Sequence, residues 1–230
     1  MWADPSTWSV LVTGGSSGLG EALCRHLSRV GASVVSIDRR PCRDHDTIEA
    51  DLADSSAASE AARRAIGQLG RLDAVVCCAG TDVPGALDAV ERETWDRIVG
   101  VNLLGTAAVV REALPELERS RGRVVTVAST LGHRAVGDAT AYCASKFGVV
   151  GFTRALTAEC QGRVGVTLLT PGGMHTAFFD DREERYRPPA DAVLADPGEV
   201  AAAVVWCLGR PEGIEVRELA IMAPVEGSWP

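Results

Sequence analysis

Positive charge is in short supply in this chain. Lys and Arg number 23 against 31 Asp and Glu, which leaves a net charge of -8 and a pI near 5.1. A nucleic-acid backbone needs a basic face, so no nucleic-acid partner is expected. The adjacent basic pairs, Arg39-Arg40 and Arg63-Arg64, read as strand-end and surface-helix residues. Long apolar runs are missing too. None approaches the ~20 residues required to cross a bilayer, so no membrane association is expected. Met1 to Trp8 contains Asp4 and Pro5 and lacks a basic start followed by an apolar stretch, which argues against a secretory leader. There are seven cysteines, but no Cys-x-x-Cys, and the odd count and irregular spacing argue against a metal site or a disulfide framework. A reducing, cytoplasmic location is the expectation. Repeats, linkers and low-complexity blocks are absent as well.

What is present is an apolar alternation. A hydrophobic content of 46% in 230 residues supplies one sizeable core and not two. Short apolar runs at Val10–Val12, Ser33–Ile37, Thr47–Ala50, Ala74–Cys78, Arg123–Ala128, Val164–Leu169 and Glu218–Met222 read as strands. Helical patterns separate them, at Glu21–Val30, Ser55–Leu69, Arg92–Leu114, Ala139–Cys160 and Glu199–Leu208. Pro115 is expected to bend or end the third of these helices. Strands that are apolar on both faces, alternating with helices, predict an α/β single domain. Its core is a Rossmann-type, doubly wound parallel sheet of about seven strands with helices on both faces. The exception to the pattern is residues 174–197, rich in charge and proline and longer than an ordinary loop, which reads as a substrate loop or lid.

The run Thr13-Gly14-Gly15-Ser16-Ser17-Gly18-Leu19-Gly20 lies between the first strand and the first helix. Glycines there allow a sharp turn and close approach of the backbone to a pyrophosphate, and the helix that follows offers unpaired N–H groups. Asp38, at the end of the second strand, is placed to accept from ribose hydroxyls and to repel a 2′-phosphate. Arg39 beside it could instead pair with that phosphate, and NAD is favoured over NADP. Further along, Tyr142 and Lys146 stand one helical turn apart on a common face. A phenol is a poor acid–base catalyst at neutral pH, and a neighbouring ammonium favours its ionised form. Ser129 falls at the C-terminal end of the fifth strand, where open α/β sheets bind ligands.

From Val10 to about Ala223 the chain resembles the short-chain dehydrogenase/reductase family. The resemblance rests on Thr-Gly-x-x-x-Gly-x-Gly at Thr13 to Gly20, Ser-x12-Tyr-x3-Lys at Ser129 to Lys146, Asn102-x-x-Gly105, and Pro171-Gly172 followed by Thr176. It implies an enzyme that passes a hydride between a nicotinamide cofactor and a secondary alcohol or ketone. Tyr142 would be the proton donor or acceptor and Ser129 would orient the reacting oxygen. Lys146 would lower the tyrosine pKa and hold the nicotinamide ribose, and Asn102 would retain a water behind it. Gly14, Ser16, Ser17, Gly18, Leu19 and Gly20 would cradle the cofactor. Asp51 and Leu52 would meet the adenine, Cys78, Ala79 and Gly80 would lie along the dinucleotide, and Pro171, Gly172, Met174 and Thr176 would line the nicotinamide. His133, Gly173, Phe178 and Phe179 are candidates for the substrate wall. A homodimer or homotetramer through helices 92–114 and 139–160 is implied as well. Two readings stay beside the main one: a 3-oxoacyl-type ketoreductase, and a non-catalytic NAD(H)-binding sensor or scaffold. Cys77-Cys78-Ala79-Gly80 stands where the family has Asn-Asn-Ala-Gly, which removes two strand-tying asparagines. The chain also lacks the glycine-rich tail of many relatives.

Overall fold

A computed structural model describes residues 4–42 and 44–229 of the chain. Met1, Trp2 and Ala3, the start of the stretch read above for a leader, lie outside the described residues, as do Arg43 and Pro230. The elements alternate as β1 (Ser9–Thr13), α1 (Gly18–Arg29), β2 (Ser33–Asp38), β3 (Asp46–Glu49), α2 (Ser55–Leu69) and β4 (Ala74–Cys77). They continue as α3 (Arg92–Val99), α4 (Thr106–Ser120), β5 (Arg123–Val127), α5 (Thr140–Cys160), β6 (Gly165–Pro171), α6 (Pro197–Leu208) and β7 (Glu218–Ile221). The seven strands form one sheet in the order β3-β2-β1-β4-β5-β6-β7, every pairing parallel.

Successive strand residues point to opposite faces, so each strand must be apolar on both. Leu11, Val75, Val124 and Val166 pack with α2 and α4 on one side. Val10, Val12, Val76, Val125 and Leu169 pack with α1 and α6 on the other. The sheet is a doubly wound, Rossmann-type parallel sheet.

The strand order reverses at β1, which pairs with β2 on one side and β4 on the other. At such a reversal the crossovers leave in opposite directions and a crevice opens. The register keeps the strand ends level: Thr13 is opposite Ile37 and Cys77, Cys77 is opposite Thr126, and Val127 is opposite Leu169. The loops starting at residues 14, 78, 128 and 172 therefore open along one edge.

Two sequence expectations about the helix from Arg92 need correction. Helix α4 does not break at Pro115 but runs to Ser120. Pro115 is exposed, as is Arg111, whose carbonyl a proline four residues later cannot bond, so water can take that bond over. The irregularity falls instead at Gly100–Gly105, a π-helical turn joining α3 to α4. By length and composition the whole run Arg92–Ser120 is apolar enough to cross a membrane, which the reading of the sequence did not anticipate. Half of its most apolar window is buried within the protein, where α4 packs on α2 and α3 on α5.

Close packing at the π turn depends on glycine. A Cβ on Gly105 would lie 2.5 Å from the Leu52 carbonyl oxygen, whereas one on Gly67, in α2, would meet nothing within 4 Å. Gly105→Ala is expected to lower the unfolding free energy by about 1–3 kcal/mol in urea titrations. Gly67→Ala is expected to raise it by about 0.5–1 kcal/mol, because glycine loses more backbone freedom on folding.

Candidate active site

The level strand ends frame a cleft of about 1240 Å3. Its floor begins at the glycine loop. Gly14 has φ +74°, and a Cβ there would lie 2.8 Å from the Ala79 backbone. A Cβ on Gly20 would lie 2.1 Å from the Gly14 carbonyl oxygen. Ser17 caps α1 without a side-chain hydrogen bond, leaving the first N–H groups of the helix for an anion. Ser16 Oγ is buried with no partner. Open helix N–H groups over backbone that no side chain can enter fit a pyrophosphate. The residues present therefore suit a dinucleotide.

Two acidic residues near the glycine loop are already engaged. Asp38 accepts from Ser16 N at 3.0 Å and from Arg40 N at 3.1 Å, and each oxygen keeps a lone pair for a ribose hydroxyl. Asp51 accepts from Arg97 Nη1 and Nη2 at 2.9 and 3.0 Å and from Ala53 N at 3.0 Å. The Arg97 guanidinium holds its carboxyl below the usual range, against a smaller opposing effect of burial. Arg97 was not among the sequence candidates.

Ser129 stands two residues beyond β5, Tyr142 in the first turn of α5 and Lys146 one turn later. All three side chains line the cleft. Ser129 Oγ accepts from Leu131 N at 3.1 Å. Lys146 Nζ donates to the Val127 carbonyl at 2.8 Å and lies 5.6 Å from the Tyr142 ring centroid. Burial pushes the Tyr142 phenol up to about 12, against a downward pull from the Ser129 hydroxyl. Burial also draws the Lys146 amine down to about 8. Withdrawal from water costs the phenolate more than its neighbours return.

Asn102 sits behind this set, in the π turn and 1% exposed. Its Oδ1 accepts from Thr81 N at 2.8 Å, and its Nδ2 donates to Thr81 O and Ser145 Oγ, both at 3.0 Å. The side chain is a clamp between the loop after β4 and helix α5. The missing asparagines after β4 have a partial substitute: Thr13 Oγ1 accepts from Ala79 N at 3.1 Å, tying β1 to that loop. Cys77 and Cys78 are free thiols.

Gly14, Ser17, Gly18, Leu19, Gly20, Asp38, Arg39, Asp51, Leu52, Cys78, Ala79 and Gly80 line the cleft, as do Pro171, Gly172, Gly173, Met174, Thr176, Phe178 and Phe179. Ser16, Asn102 and His133 do not. His133 is turned to Thr170 Oγ1 at 3.1 Å and to the Trp229 ring, 5.7 Å away. Two further groups escaped the reading of the sequence. Asp82 and Arg182 form an ion pair at 2.8 Å, and the tail after β7 returns over the cleft, where Glu226 accepts from Gly173 N at 3.0 Å. No local pattern announces either, since each joins residues 100 or 53 positions apart.

The family model for short chain dehydrogenase matches residues 9–187. The chain belongs to this family. It is 30% identical over 223 residues to an uncharacterized oxidoreductase of Staphylococcus epidermidis, covering 92% of this chain and 95% of that protein. It is 32% identical over 225 residues to a (2S)-[(R)-hydroxy(phenyl)methyl]succinyl-CoA dehydrogenase subunit of Thauera aromatica, covering 88% and 90%. Among solved structures, an alcohol dehydrogenase from Thermococcus sibiricus complexed with 5-hydroxy-NADP has a TM-score of 0.84 at 23% identity, covering 94% of this chain and 97% of that one. A 3-ketoacyl-(acyl-carrier-protein) reductase from Brucella melitensis complexed with NADH gives 0.82 at 26% identity, with the same shares. The first likeness speaks for the fold alone. The chain is an oxidoreductase of the short chain dehydrogenase family, and solved structures similar to it hold NADP-type and NADH cofactors.

In this oxidoreductase the Asn102 clamp makes a stability prediction. Asn102→Ala strips partners from the part-buried Thr81 N–H and C=O. It is expected to cost about 2–4 kcal/mol of unfolding free energy, read by urea titration followed by circular dichroism.

Proposed function

We propose that the protein interconverts a secondary alcohol and a ketone with NAD(H), with Tyr142 as the proton donor and acceptor. One observation carries this reading: the Ser129 and Tyr142 hydroxyls and the Lys146 amine, all nearly buried, line the same cleft as an empty-walled glycine cradle. The nicotinamide supplies or takes up the hydride. Ser129 holds the reacting oxygen, and Tyr142 gives it a proton in reduction or takes one in oxidation. Lys146, fixed by the Val127 carbonyl, keeps N–H groups for the nicotinamide ribose. Asp38 disfavours a 2′-phosphate, which is the reason for preferring NAD, although Arg39 and Arg40 also line that end.

A 3-oxoacyl-type ketoreductase is the second reading, supported by the likeness to the Brucella melitensis enzyme. The charge of the cleft mouth works against it. Asp180, Asp181, Glu183, Asp191 and Glu226 line that end together with Arg182, a poor field for an anionic thioester carrier.

A homo-oligomer through the 92–114 and 139–160 helices belongs to the same proposal. Leu104 and Phe147, on neighbouring elements there, are 51% and 45% exposed, more than is usual for large apolar side chains in a monomer's packed helices. Seven cysteines without a disulfide suit a reducing cytoplasm.

Tyr142→Phe is expected to lower turnover on a responsive alcohol or ketone by roughly 100-fold or more, while NADH binding, followed by fluorescence, stays near that of the wild type. Full activity in the Phe variant would remove the proton-transfer role. Assays with NADH and NADPH in parallel read the cofactor preference. The sign of the pH dependence follows from the proton. Oxidation needs the phenolate, so with the phenol drawn up to about 12 it is expected to keep rising with pH through the alkaline range, while reduction needs the phenol and is expected to hold level through neutral pH. Light scattering after size exclusion is expected to show a dimer or tetramer, and Phe147→Glu to shift it toward monomer.

A further inference from the structure

Single exposed apolar side chains are ordinary on a protein surface, but several around one opening are not. Val83, Val193 and Val225 are 50%, 57% and 76% exposed, and all three line the cleft. They come from separate segments: the loop after β4, the segment after β6 and the tail after β7.

Contacts link these segments to the proposed reacting centre. A Cβ on Gly173 would lie 2.8 Å from Leu194 Cδ2 and 4.0 Å from Glu226 Oε2. The residues next to Val193 and Val225 thus flank the same glycine. The tail is also held by Ser228, whose Oγ lies 2.7 Å from Thr130 Oγ1, and Thr130 adjoins Ser129. Further in, the Phe178 ring lies 5.9 Å from the Tyr142 ring and 5.5 Å from that of Phe179. Apolar surface therefore extends outward from Tyr142, past Phe178, to the valines at the opening.

Charge along this wall is one-sided. Arg182 is paired to Asp82 at 2.8 Å, while Asp180, Asp181, Glu183, Asp191 and Glu226 line the same end. An anionic group on the substrate would meet repulsion there. The cavity, about 1240 Å3, exceeds the ~300–1000 Å3 usual for one bound molecule, which leaves room for a substrate beside a dinucleotide.

We propose that Val83, Val193 and Val225 form a specificity surface for an uncharged apolar arm of the substrate. This makes the substrate class an aliphatic ketone with an extended chain, or its alcohol, and no acid group on that chain. The proposal rests on the alcohol–ketone reading of Tyr142. Laying the arm on the valines removes apolar surface from water on both sides of the contact.

The test follows kcat/KM along the methyl ketones from butanone to 2-nonanone. Full burial of a methylene is worth about fourfold, so a wall half open to water is expected to give about twofold per methylene, or roughly 30-fold over the series. 7-Oxooctanoate carries a carboxylate where 2-octanone has its terminal methyl, and is expected to be about tenfold or more the poorer substrate. Val193→Asp and Val225→Asp, each with a native circular dichroism spectrum, are expected to cut the ratio of 2-nonanone to butanone by about fivefold or more, and the milder Val193→Ser and Val225→Ser by about twofold. A flat or falling series in the wild type overturns the proposal and leaves the alcohol–ketone reading standing, as does activity confined to hydroxylated or charged ketones. Equal turnover of 7-oxooctanoate and 2-octanone also overturns it. So do variants that keep the wild-type slope, and a change of mass by light scattering in those variants assigns the valines to contact between subunits. Turnover of no ketone or alcohol in a broad panel removes the alcohol–ketone reading, and the arm with it.

Discussion

The side chain of Asn102 holds the active cleft in shape. It spends every hydrogen-bonding atom on two partners, the backbone of Thr81 and the hydroxyl of Ser145. Thr81 lies between Gly80 and Asp82, and all three line the cleft. Ser145 is the neighbour of Lys146, and its hydroxyl donates in turn to the Tyr142 carbonyl at 2.8 Å. One buried amide therefore sets the loop after β4 against the first turns of α5. The π-helical turn matters for that reason. It lets Asn102 face inward and lets Gly105 touch the Leu52 carbonyl, where a regular turn bearing a Cβ would collide.

Burial shapes the electrostatics more strongly than pairing does. The only lysine in the chain, Lys146, is 4% exposed and Tyr142 is 9% exposed. In water an ammonium beside a phenol would pull the phenol pKa down. In the closed cleft both groups move toward their neutral forms, the phenol up and the amine down. Burial likewise raises the Asp82 carboxyl, against the downward pull of Arg182 beside it.

Local patterns made most of the fold legible. Apolar runs buried on two faces can only be central parallel strands, and the glycine loop between β1 and α1 fixes which sheet edge carries the cleft. Ser129, Tyr142 and Lys146 were readable because a strand end and one helical turn position them. Pro115 misled because propensity cannot see that its carbonyl partner lies on the solvent side of α4. The membrane-like apolarity of Arg92–Ser120 stayed hidden because it is spread over two helices and a π turn, with no single unbroken apolar run. His133 drew attention as a loop histidine near a strand end, yet its direction is set by Thr170 and by Trp229, near the far end of the chain.

The substrate end illustrates why the remainder was illegible. Its walls come from the loop after β4, the segment after β6 and the tail after β7, which carry no periodicity and meet only because the strand register brings their starts level. Glu226 reaches Gly173 N and would collide with a Cβ on Gly172, so these glycines are what lets the tail approach. Arg182 reaches Asp82 across a hundred residues. Such contacts cost no more than short-range ones once the sheet has formed, because loop-closure entropy grows only slowly with length. Ser129, Tyr142 and Lys146 are therefore fixed by the rigid sheet and α5, while the remaining walls of the cleft come from segments free to vary around them.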